Sequence, residues 1–584
     1  MSANAAIARL FEQMADALEV LGENPFKVLA HRKAARVLDD MADDVAELAA
    51  HDPQKLRAID GFGAATVQKI EEFVRSGRIQ SHDELLAKLP PGLIDVLRVP
   101  GLGPKTVKLL WEKGGVTDLT SLKQRLASGE LAALPRMGEK TLKNIAENLA
   151  FVESAGTRVR LGDALPVAEM FVQELRAIPG VKQAAYAGSL RRGRDTIGDI
   201  DLLAATAAPA AVMEFFTRHP QVARVLAAGD TKSSVRLQSG MQVDLRAVPA
   251  ADWGAALLYF TGSKEHNVAL RERAIARGLR LNEYGLFPDD GVEAPPQSRG
   301  VKPVAGRTEE EIYAALGLPW IAPELRESHG EFEDGATARL IALKDIRREL
   351  HAHTTASDGE LSIEELIDEA KRRGFDCVAV TDHSRSSAQA NGLSIERLRD
   401  HAAAVRKAAA KVKGIRVLVG SEVDILADGH LDYPDSVLAE LDWVVASPHT
   451  ALKQTPEAAT QRLLAAIANP FVHMIGHPTG RIINGRPGLE PNLHAVAEAA
   501  ARAGVALEIN ANPARLDLRD AAVRLALRCK ATIAIDTDAH AREHFDFLRY
   551  GVLTARRAGL EPAGCVNAWP WKKFEAWRRS RGRG

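Results

Sequence analysis

Cysteine is scarce in this chain: Cys377, Cys529 and Cys565 are the only three in 584 residues, and they stand far apart. That spacing excludes a disulfide framework and a knuckle of thiolate ligands, and it points to a reducing compartment. Net charge is missing too. Lys and Arg number 76 against 77 Asp and Glu, so any surface for nucleic acid must be local and offset by acidic regions elsewhere. No run is apolar for long enough to span a bilayer. The first residues, Met1 to Leu21, set Glu12, Asp16 and Glu19 among apolar positions, which is not the basic-then-apolar order of a signal peptide. These absences describe a cytoplasmic protein without a membrane partner. Its length, at roughly 150 residues per domain, implies about three to five cores.

What is present centres on two short runs a strand apart. Gly188-Ser189-Leu190-Arg191-Arg192-Gly193 is followed by Asp199-Ile200-Asp201, which opens the apolar stretch Leu202-Leu203-Ala204. Strand side chains alternate faces, so Asp199 and Asp201 point the same way, as paired metal-binding carboxylates must. Asp244, in the alternating run Met241-Gln242-Val243-Asp244-Leu245, supplies a third. Three carboxylates and the phosphates of a substrate complete a two-metal site for in-line displacement at phosphorus. The Gly188-Ser189 turn offers amides and a hydroxyl to a triphosphate, and Arg192 offers a planar fork of donors. A surface turn before an ordinary strand is the plainer alternative. Gly-Ser with a spaced Asp-x-Asp resembles the nucleotidyltransferase signature.

Upstream, residues to about 85 read as helices, with apolar spacing at Ile7, Leu10, Phe11, Met14 and Leu18. Ile59-Asp60-Gly61-Phe62-Gly63 then enters a helix through Val67, Ile70 and Phe73. Glycines that admit a close backbone, before free amides at a helix start, are the helix-hairpin-helix signal for a phosphate. The pattern recurs at Val99-Pro100-Gly101-Leu102-Gly103-Pro104-Lys105 and, degraded, at Leu134-Pro135-Arg136-Met137-Gly138-Glu139-Lys140. Repetition favours sequence-independent DNA contact through Gly61, Gly63, Gly101, Gly103, Gly138, Lys105 and Lys140 over glycine caps in a purely structural bundle.

Beyond Asp244, Tyr259-Phe260-Thr261-Gly262-Ser263 leads into a helix carrying His266, Asn267, Arg271 and Arg273, and Asn282-Glu283-Tyr284 follows. In this order the motifs resemble the family X DNA polymerases over about the first 320 residues. The resemblance implies a helical lyase-like domain (1–85), fingers with helix-hairpin-helix motifs (86–155), a nucleotidyltransferase palm (156–250) and a thumb (251–318). It implies that Gly188, Ser189, Arg192 and Arg158 bind the incoming triphosphate, and that Tyr259, Phe260 and Gly262 sit against its sugar. Asn267 and Arg271 would face the minor groove of the nascent pair. Lys69 falls where vertebrate relatives carry a Schiff-base lysine, although a phosphate-binding lysine would look the same.

Residues 319–344, broken by Pro319, Pro323 and Gly330, read as a linker docked on its neighbours. Strand-like runs at Asp376–Val380, Arg416–Val419, Trp443–Ala446, Val472–Ile475 and Ala506–Ile509 then alternate with helices, as in a parallel α/β barrel. At their carboxyl ends lie Thr381-Asp382-His383, Gly420-Ser421-Glu422, Ser447-Pro448-His449, Gly476-His477-Pro478 and Thr537-Asp538-Ala539-His540, preceded by His351-Ala352-His353 and Asp358. Imidazole and carboxylate converging from successive strands indicate a metal cluster. The set resembles the polymerase-and-histidinol-phosphatase, or PHP, domain over residues 345–572. That resemblance implies one metal on His351, His353, Glu422 and Asp538, a second sharing Glu422 with His449 and His477, and a third on Asp358, His383 and His540. Arg348-Glu349 departs from the more usual Gly-Asp. Gly480-Arg481 is positioned in sequence to meet a substrate phosphate, and residues 573–584 read as a solvated basic tail.

The expected fold is therefore multidomain: an all-α helix-hairpin-helix region, an α+β palm and thumb, and a distorted TIM-like α/β PHP barrel. The expected protein is a bacterial-type family X DNA polymerase, a monomer that fills short gaps in nicked or gapped double-stranded DNA from deoxynucleoside triphosphates. Mg2+ or Mn2+ would serve the palm. Up to three Mn2+ or Zn2+ ions would serve a barrel with 3′–5′ exonuclease and abasic-site endonuclease activity. Two alternatives stand: a DNA-end-binding scaffold with an idle polymerase site, and a barrel acting as a small-molecule phosphatase.

Overall fold

The computed structural model describes residues 3–581 except 41–44, 46–47, 50–52, 60–61, 98, 100–101, 136, 139–140, 144, 147–148, 150–157 and 333–338. The chain falls into two units, residues 1–157 and 158–584.

The first unit is helical. Helix Ala3–Leu21 turns the predicted apolar stripe inward, burying Ile7, Phe11, Met14 and Leu18. Gly63 caps helix Ala64–Ser76 and Gly103 caps helix Pro104–Gly114. Each glycine carbonyl accepts two amides, from Thr66 and Val67 and from Thr106 and Val107. Gly138 does the same for Thr141 and Leu142. The third, degraded copy therefore keeps the backbone pattern of the other two. Between the paired positions of each copy a buried apolar side chain, Phe62, Leu102 or Met137, anchors the loop.

In the second unit, strands β1 (Val181–Tyr186), β2 (Asp199–Thr206), β3 (Val222–Ala228), β4 (Lys232–Leu237) and β5 (Gln242–Val248) form one sheet in the order β1-β2-β5-β4-β3. Only β2 and β5 run parallel. One face packs on helices Leu161–Ala177 and Pro209–Thr217 through Ile200, Leu202, Val243, Phe171 and Phe216. The other packs through Leu203 and Ala205 on Trp253 and Leu257 of helix Trp253–Thr261. Residues Asp199 and Asp201 share the face of Leu203 and Ala205, at the uncovered end of β2. The following helices Lys264–Ile275 and Glu309–Ala315 enclose a separate small core around Leu258, Leu270, Leu286 and Ile312. The expected linker is docked: Arg326 is fully buried, with Nη1 donating 2.7 Å to Glu309 and Nη2 donating 2.8 Å to the Ile321 carbonyl.

Strands β6 (Arg348–Glu349), β7 (Cys377–Val380), β8 (Arg416–Asp424), β9 (Trp443–Ser447), β10 (Met474–Ile475), β11 (Ala506–Asn510) and β12 (Thr532–Asp536) follow in sequential, all-parallel order. A parallel bridge from Ala352 to Ala539 draws the two edges together at the carboxyl end. Two of these strands, β6 and β12, are not distinguished by the sequence pattern, because β6 is two residues long and β12 runs directly into the polar cluster. Glu422 lies inside β8 rather than after it.

The reading of residues 573–584 as a solvated tail is corrected. Helix Trp571–Arg579 packs across the amino-terminal end of the barrel with Phe574 fully buried beside Trp443, Trp569 and Trp577. Its aromatic spacing of three outweighs its basic composition. The unusual Arg348 belongs to the same plug: its side chain is buried, donates 2.7 Å to the Trp569 carbonyl and lies 4.3 Å over the Phe574 ring.

Candidate functional site

Among the described residues of the second unit, side chains with ligating chemistry gather in the palm sheet and in the barrel. In the palm sheet, parallel pairing sets Asp201 opposite Asp244. Oxygens of Asp199, Asp201 and Asp244 lie within 4.8 Å of one another. Burial, together with the charges of Asp199 and Asp244, pushes the Asp201 carboxyl up to about 7. Three carboxylates held this close repel unless a cation lies between them, so the donor set suits a hard divalent metal. Gly188 is required beside them: a Cβ there would stand 2.2 Å from Asp201 Oδ2, and its φ is +60°.

The expected Gly-Ser turn is one helical turn, Gly188–Arg191. Its two arginines part company. Arg191 is bound by Glu309 at 2.7 and 2.9 Å, whereas Arg192 donates to the Thr261 carbonyl at 2.6 Å and to Glu327 at 3.0 Å. Arg192 is also close enough to the carboxylates to lower Asp201. Arg158 is held by Thr196, and burial with neighbouring Arg194 lowers its guanidinium. A shallow pocket brings together Tyr259, Asn267 and Arg271 with Leu258 and Asn282. Asn267 Nδ2 donates 2.7 Å to the Tyr259 carbonyl, and the Phe260 ring lies under Arg246 at 4.4 Å.

In the barrel the nine sequence-predicted positions converge at the carboxyl ends of the strands, with a partition of their own. Ligating atoms fall within 4.8 Å of one another in three overlapping sets: His351, His353, Glu422 and Asp538; His383, Glu422 and His449; and His353, Asp358, His383 and His540. His383 thus stands with His449 on Glu422, where the family pattern implies His477. His477 contacts Glu422 separately, at 2.8 Å. Among the described residues, buried His351 Nε2, both ring nitrogens of His353, His383 Nδ1, Glu422 Oε2 and Asp538 Oδ1 have no well-aligned hydrogen bond, although His353 Nε2 lies 3.0 Å from Asp538 and His383 Nδ1 2.9 Å from Glu422. So many buried orphans facing one another fit a cluster of cations, which would satisfy them together. Burial and the neighbouring His540 and His383 push the His353 imidazole down to about 4, leaving it neutral and able to ligate.

Behind the ligands stand residues that no motif announces. Glu508 on β11 accepts from His351 Nδ1 at 2.7 Å, and Asp424 on β8 is hydrogen-bonded to His449 Nδ1. Both leave Nε2 directed at the cluster. Arg481, expected to meet a substrate phosphate, is engaged instead: it donates to the carbonyls of Arg515 at 2.8 Å and Leu516 at 2.6 Å and to Asp195 at 3.1 Å. Arg515 also stands at this lip. Its guanidinium makes no hydrogen bond or ion pair among the described residues, and its Nη1 is buried. Burial and the charge of Arg515 push the nearby His477 down to about 4. Arg515 stands in a loop without a recognisable motif, and only its lack of a partner marks it.

In the helical unit, a Cβ at Gly63, Gly103 or Gly138 would meet nothing within 4 Å, so all three loops leave room for a ligand backbone. Lys105 is exposed beside Gly103. Gly61, Gly101 and Lys140 lie outside the described residues. Lys69 is half-buried, with Nζ donating to the Ala65 carbonyl, and burial lowers its ammonium.

Comparison with known proteins adds an independent finding. Residues 2–79 match a helix-hairpin-helix domain, 93–150 a SAM-like helix-hairpin-helix tandem, 256–327 a DNA polymerase beta thumb and 349–512 a PHP domain. The chain is 38% identical over 573 residues to the DNA polymerase/3′-5′ exonuclease PolX of Bacillus subtilis, covering 98% of both. It is 25% identical over 357 residues to DNA polymerase lambda of Rattus norvegicus, covering 56% of each. It is also 29% identical over 233 residues to a Syntrophotalea carbinolica protein named "Probable phosphatase", covering 38% of this chain and 90% of that one.

Proposed function

Because the chain belongs to the family of the DNA polymerase/3′-5′ exonuclease PolX, we propose that it divides its chemistry between the palm carboxylates and the barrel cluster. It is a family X DNA polymerase with 3′-5′ exonuclease activity, DNA and deoxynucleoside triphosphates are its substrates, and divalent metal is needed. Mg2+ or Mn2+ held by Asp199, Asp201 and Asp244, and up to three Mn2+ or Zn2+ ions held by His351, His353, Asp358, His383, Glu422, His449, His477, Asp538 and His540, would supply positive charge to reacting phosphates.

The protein's own residues do the rest. Ser189 and Arg192 bind the triphosphate, with Arg158 beside them. Tyr259 and Phe260 bound the sugar, and Asn267 and Arg271 meet the nascent pair from the minor-groove side. Gly63, Gly103, Gly138 and Lys105 hold DNA phosphates without reading sequence. In the barrel, Arg515 meets the charge of the phosphodiester that the nuclease cuts. Short gaps in double-stranded DNA are the preferred polymerase substrate, and abasic sites a second nuclease substrate. The lowered ammonium of Lys69 supports a lyase role on 5′-deoxyribose phosphate, tested by borohydride trapping with Lys69→Ala as the control. Unpaired cysteines support a cytoplasmic setting.

The observation that carries this reading is the Asp199, Asp201 and Asp244 triad beside Gly188, in a chain that also holds the barrel cluster. The test incubates labelled gapped DNA with the protein and Mn2+, with and without nucleotides: extension is expected with them and 3′ shortening without. Similarity to the probable phosphatase favours one second reading, a barrel acting on small phosphate esters. Cleavage of histidinol phosphate but never of DNA would establish it. An idle scaffold is disfavoured by the complete carboxylate triad.

A further inference from the structure

The palm and the barrel meet at Arg192. Its Nε donates 3.0 Å to Glu327 Oε1 and its Nη1 donates 2.6 Å to the Thr261 carbonyl. The same Glu327 oxygen accepts Nη1 of Arg557 at 2.9 Å, and Glu327 Oε2 accepts Nη1 of Arg194 at 3.2 Å. Arg557 ends the barrel helix Leu548–Arg557 and donates 2.7 Å to the backbone carbonyl of Arg192 itself. Its other edge is fixed inside the barrel by Asp520, at 3.0 Å from Nε and 2.8 Å from Nη2. The helix lies directly against the nucleotide loop: a Cβ at Gly193 would come within 3.3 Å of Leu553 Cβ. The side chains of Arg192, Glu327 and Arg557 are only 12%, 8% and 6% exposed.

Three guanidinia converge on Glu327, and Arg557 is held by Asp520 as well, so the geometry of Arg192 is fixed from two sides. A free arginine side chain loses rotamer entropy when it is ordered on a ligand. With Nε and Nη1 committed, Arg192 has little of it left to lose, and Nη2 has no partner among the described residues. Preorganisation of this kind lowers the cost of binding an anion. Neither Glu327 nor Arg557 belongs to the motifs of the polymerase half, and Arg557 lies in the nuclease half of the sequence.

We propose that Glu327 and Arg557 are positioning residues for nucleotide addition, through which the barrel holds Arg192 ready for the incoming triphosphate. The proposal rests on the reading of Arg192 as a triphosphate contact.

The test measures single-nucleotide gap filling against nucleotide concentration for Glu327→Gln, Arg557→Met, Arg557→Lys and Arg192→Ala in the full chain, with 3′ shortening of single-stranded DNA measured alongside. Glu327→Gln and Arg557→Met are expected to raise the nucleotide KM about tenfold while kcat changes less than about twofold. Arg557→Lys should recover part of the loss, and exonuclease activity should be unchanged. The Glu327→Gln/Arg557→Met double variant should be little worse than either single one, since both act through one guanidinium. If Arg192→Ala raises KM but Glu327→Gln and Arg557→Met leave it at the wild-type value, the positioning role is overturned and the Arg192 contact stands. If Arg192→Ala itself leaves KM unchanged, the triphosphate reading fails, and the positioning role with it. Equal falls in polymerase kcat and exonuclease activity in near-isosteric Glu327→Gln would mark a merely structural contact and overturn the proposal.

Discussion

Asp201 on β2 and Asp244 on β5 are register partners across the one parallel strand pair of the palm sheet. Parallel pairing fixes their separation by backbone hydrogen bonds rather than by side-chain packing, and the raised Asp201 carboxyl reflects its burial first and then the nearby charges of Asp199 and Asp244. Asp244→Ala is therefore expected to lower nucleotide addition about a thousandfold or more, while 3′ shortening by the barrel continues. Primer extension and exonuclease assays on the same preparation check both halves of this outcome. Normal extension would remove Asp244 from the site.

Much of this site is legible in the sequence because it obeys short periods. Asp199 and Asp201 share a face by strand alternation, and the helix-hairpin-helix glycines repeat with buried apolar residues between them. The barrel histidines announce themselves by following strand after strand. What escapes depends on contacts between residues distant in sequence. Glu508 lies 157 positions from His351, and Arg557 lies 365 from Arg192. No local pattern distinguishes Arg481, which is tied to carbonyls of the Arg515 loop, from Arg515 itself, which has no partner among the described residues. The docked carboxyl-terminal helix is misread for a related reason: its basic residues dominate composition, while Trp571, Phe574 and Trp577 find partners only in the closed barrel.

The carboxylate of Glu508 fixes the His351 ring through Nδ1, leaving Nε2 for the cluster. Glu508→Gln keeps the shape but gives a weaker acceptor and loses the charge that makes the imidazole a better donor to metal. Retention of Mn2+ or Zn2+ by the purified full chain, measured by competition with a chelator, should fall about 10- to 100-fold. Polymerase activity should be unaffected. Wild-type metal affinity in the variant would show that the ring is oriented by packing alone.

Glu309 lies buried between Arg326 and Arg191 in the helical subdomain after the palm. Burial pushes its carboxyl up, but the two guanidinia prevail and hold it at about 2, against an ordinary 4.5. The folded-state value is depressed, so the stabilisation is complete above about pH 4.5 and is lost as pH falls towards 2. Its size is about 3 kcal/mol. Glu309→Gln also leaves buried Arg326 uncompensated, so the variant should be markedly less stable than wild type at pH 7. Urea unfolding followed from pH 7 to pH 2 should show the gap narrowing below about pH 4.5. A gap independent of pH would mean that the pair contributes shape rather than charge.

Arg515 makes the sharpest prediction about the nuclease, because a buried guanidinium nitrogen without a partner is costly unless an anion completes it. Its loop follows β11 at the carboxyl end of the barrel, and its charge reaches His477, so a phosphodiester presented to the cluster would pass within its field. Arg481 serves as the internal control for charge at this lip, since its donors already end on carbonyls and Asp195. Arg515→Ala should weaken 3′ shortening about 10- to 100-fold, mainly through a raised KM for the DNA end, with metal content unchanged. Arg515→Lys should recover part of the activity, as a point charge that cannot form the planar fork. Gap filling should proceed at the wild-type rate in both variants. Exonuclease activity equal to wild type in Arg515→Ala would show that the scissile phosphate is held by the metal ligands' side of the cleft alone, and that Arg515 plays no part in binding it.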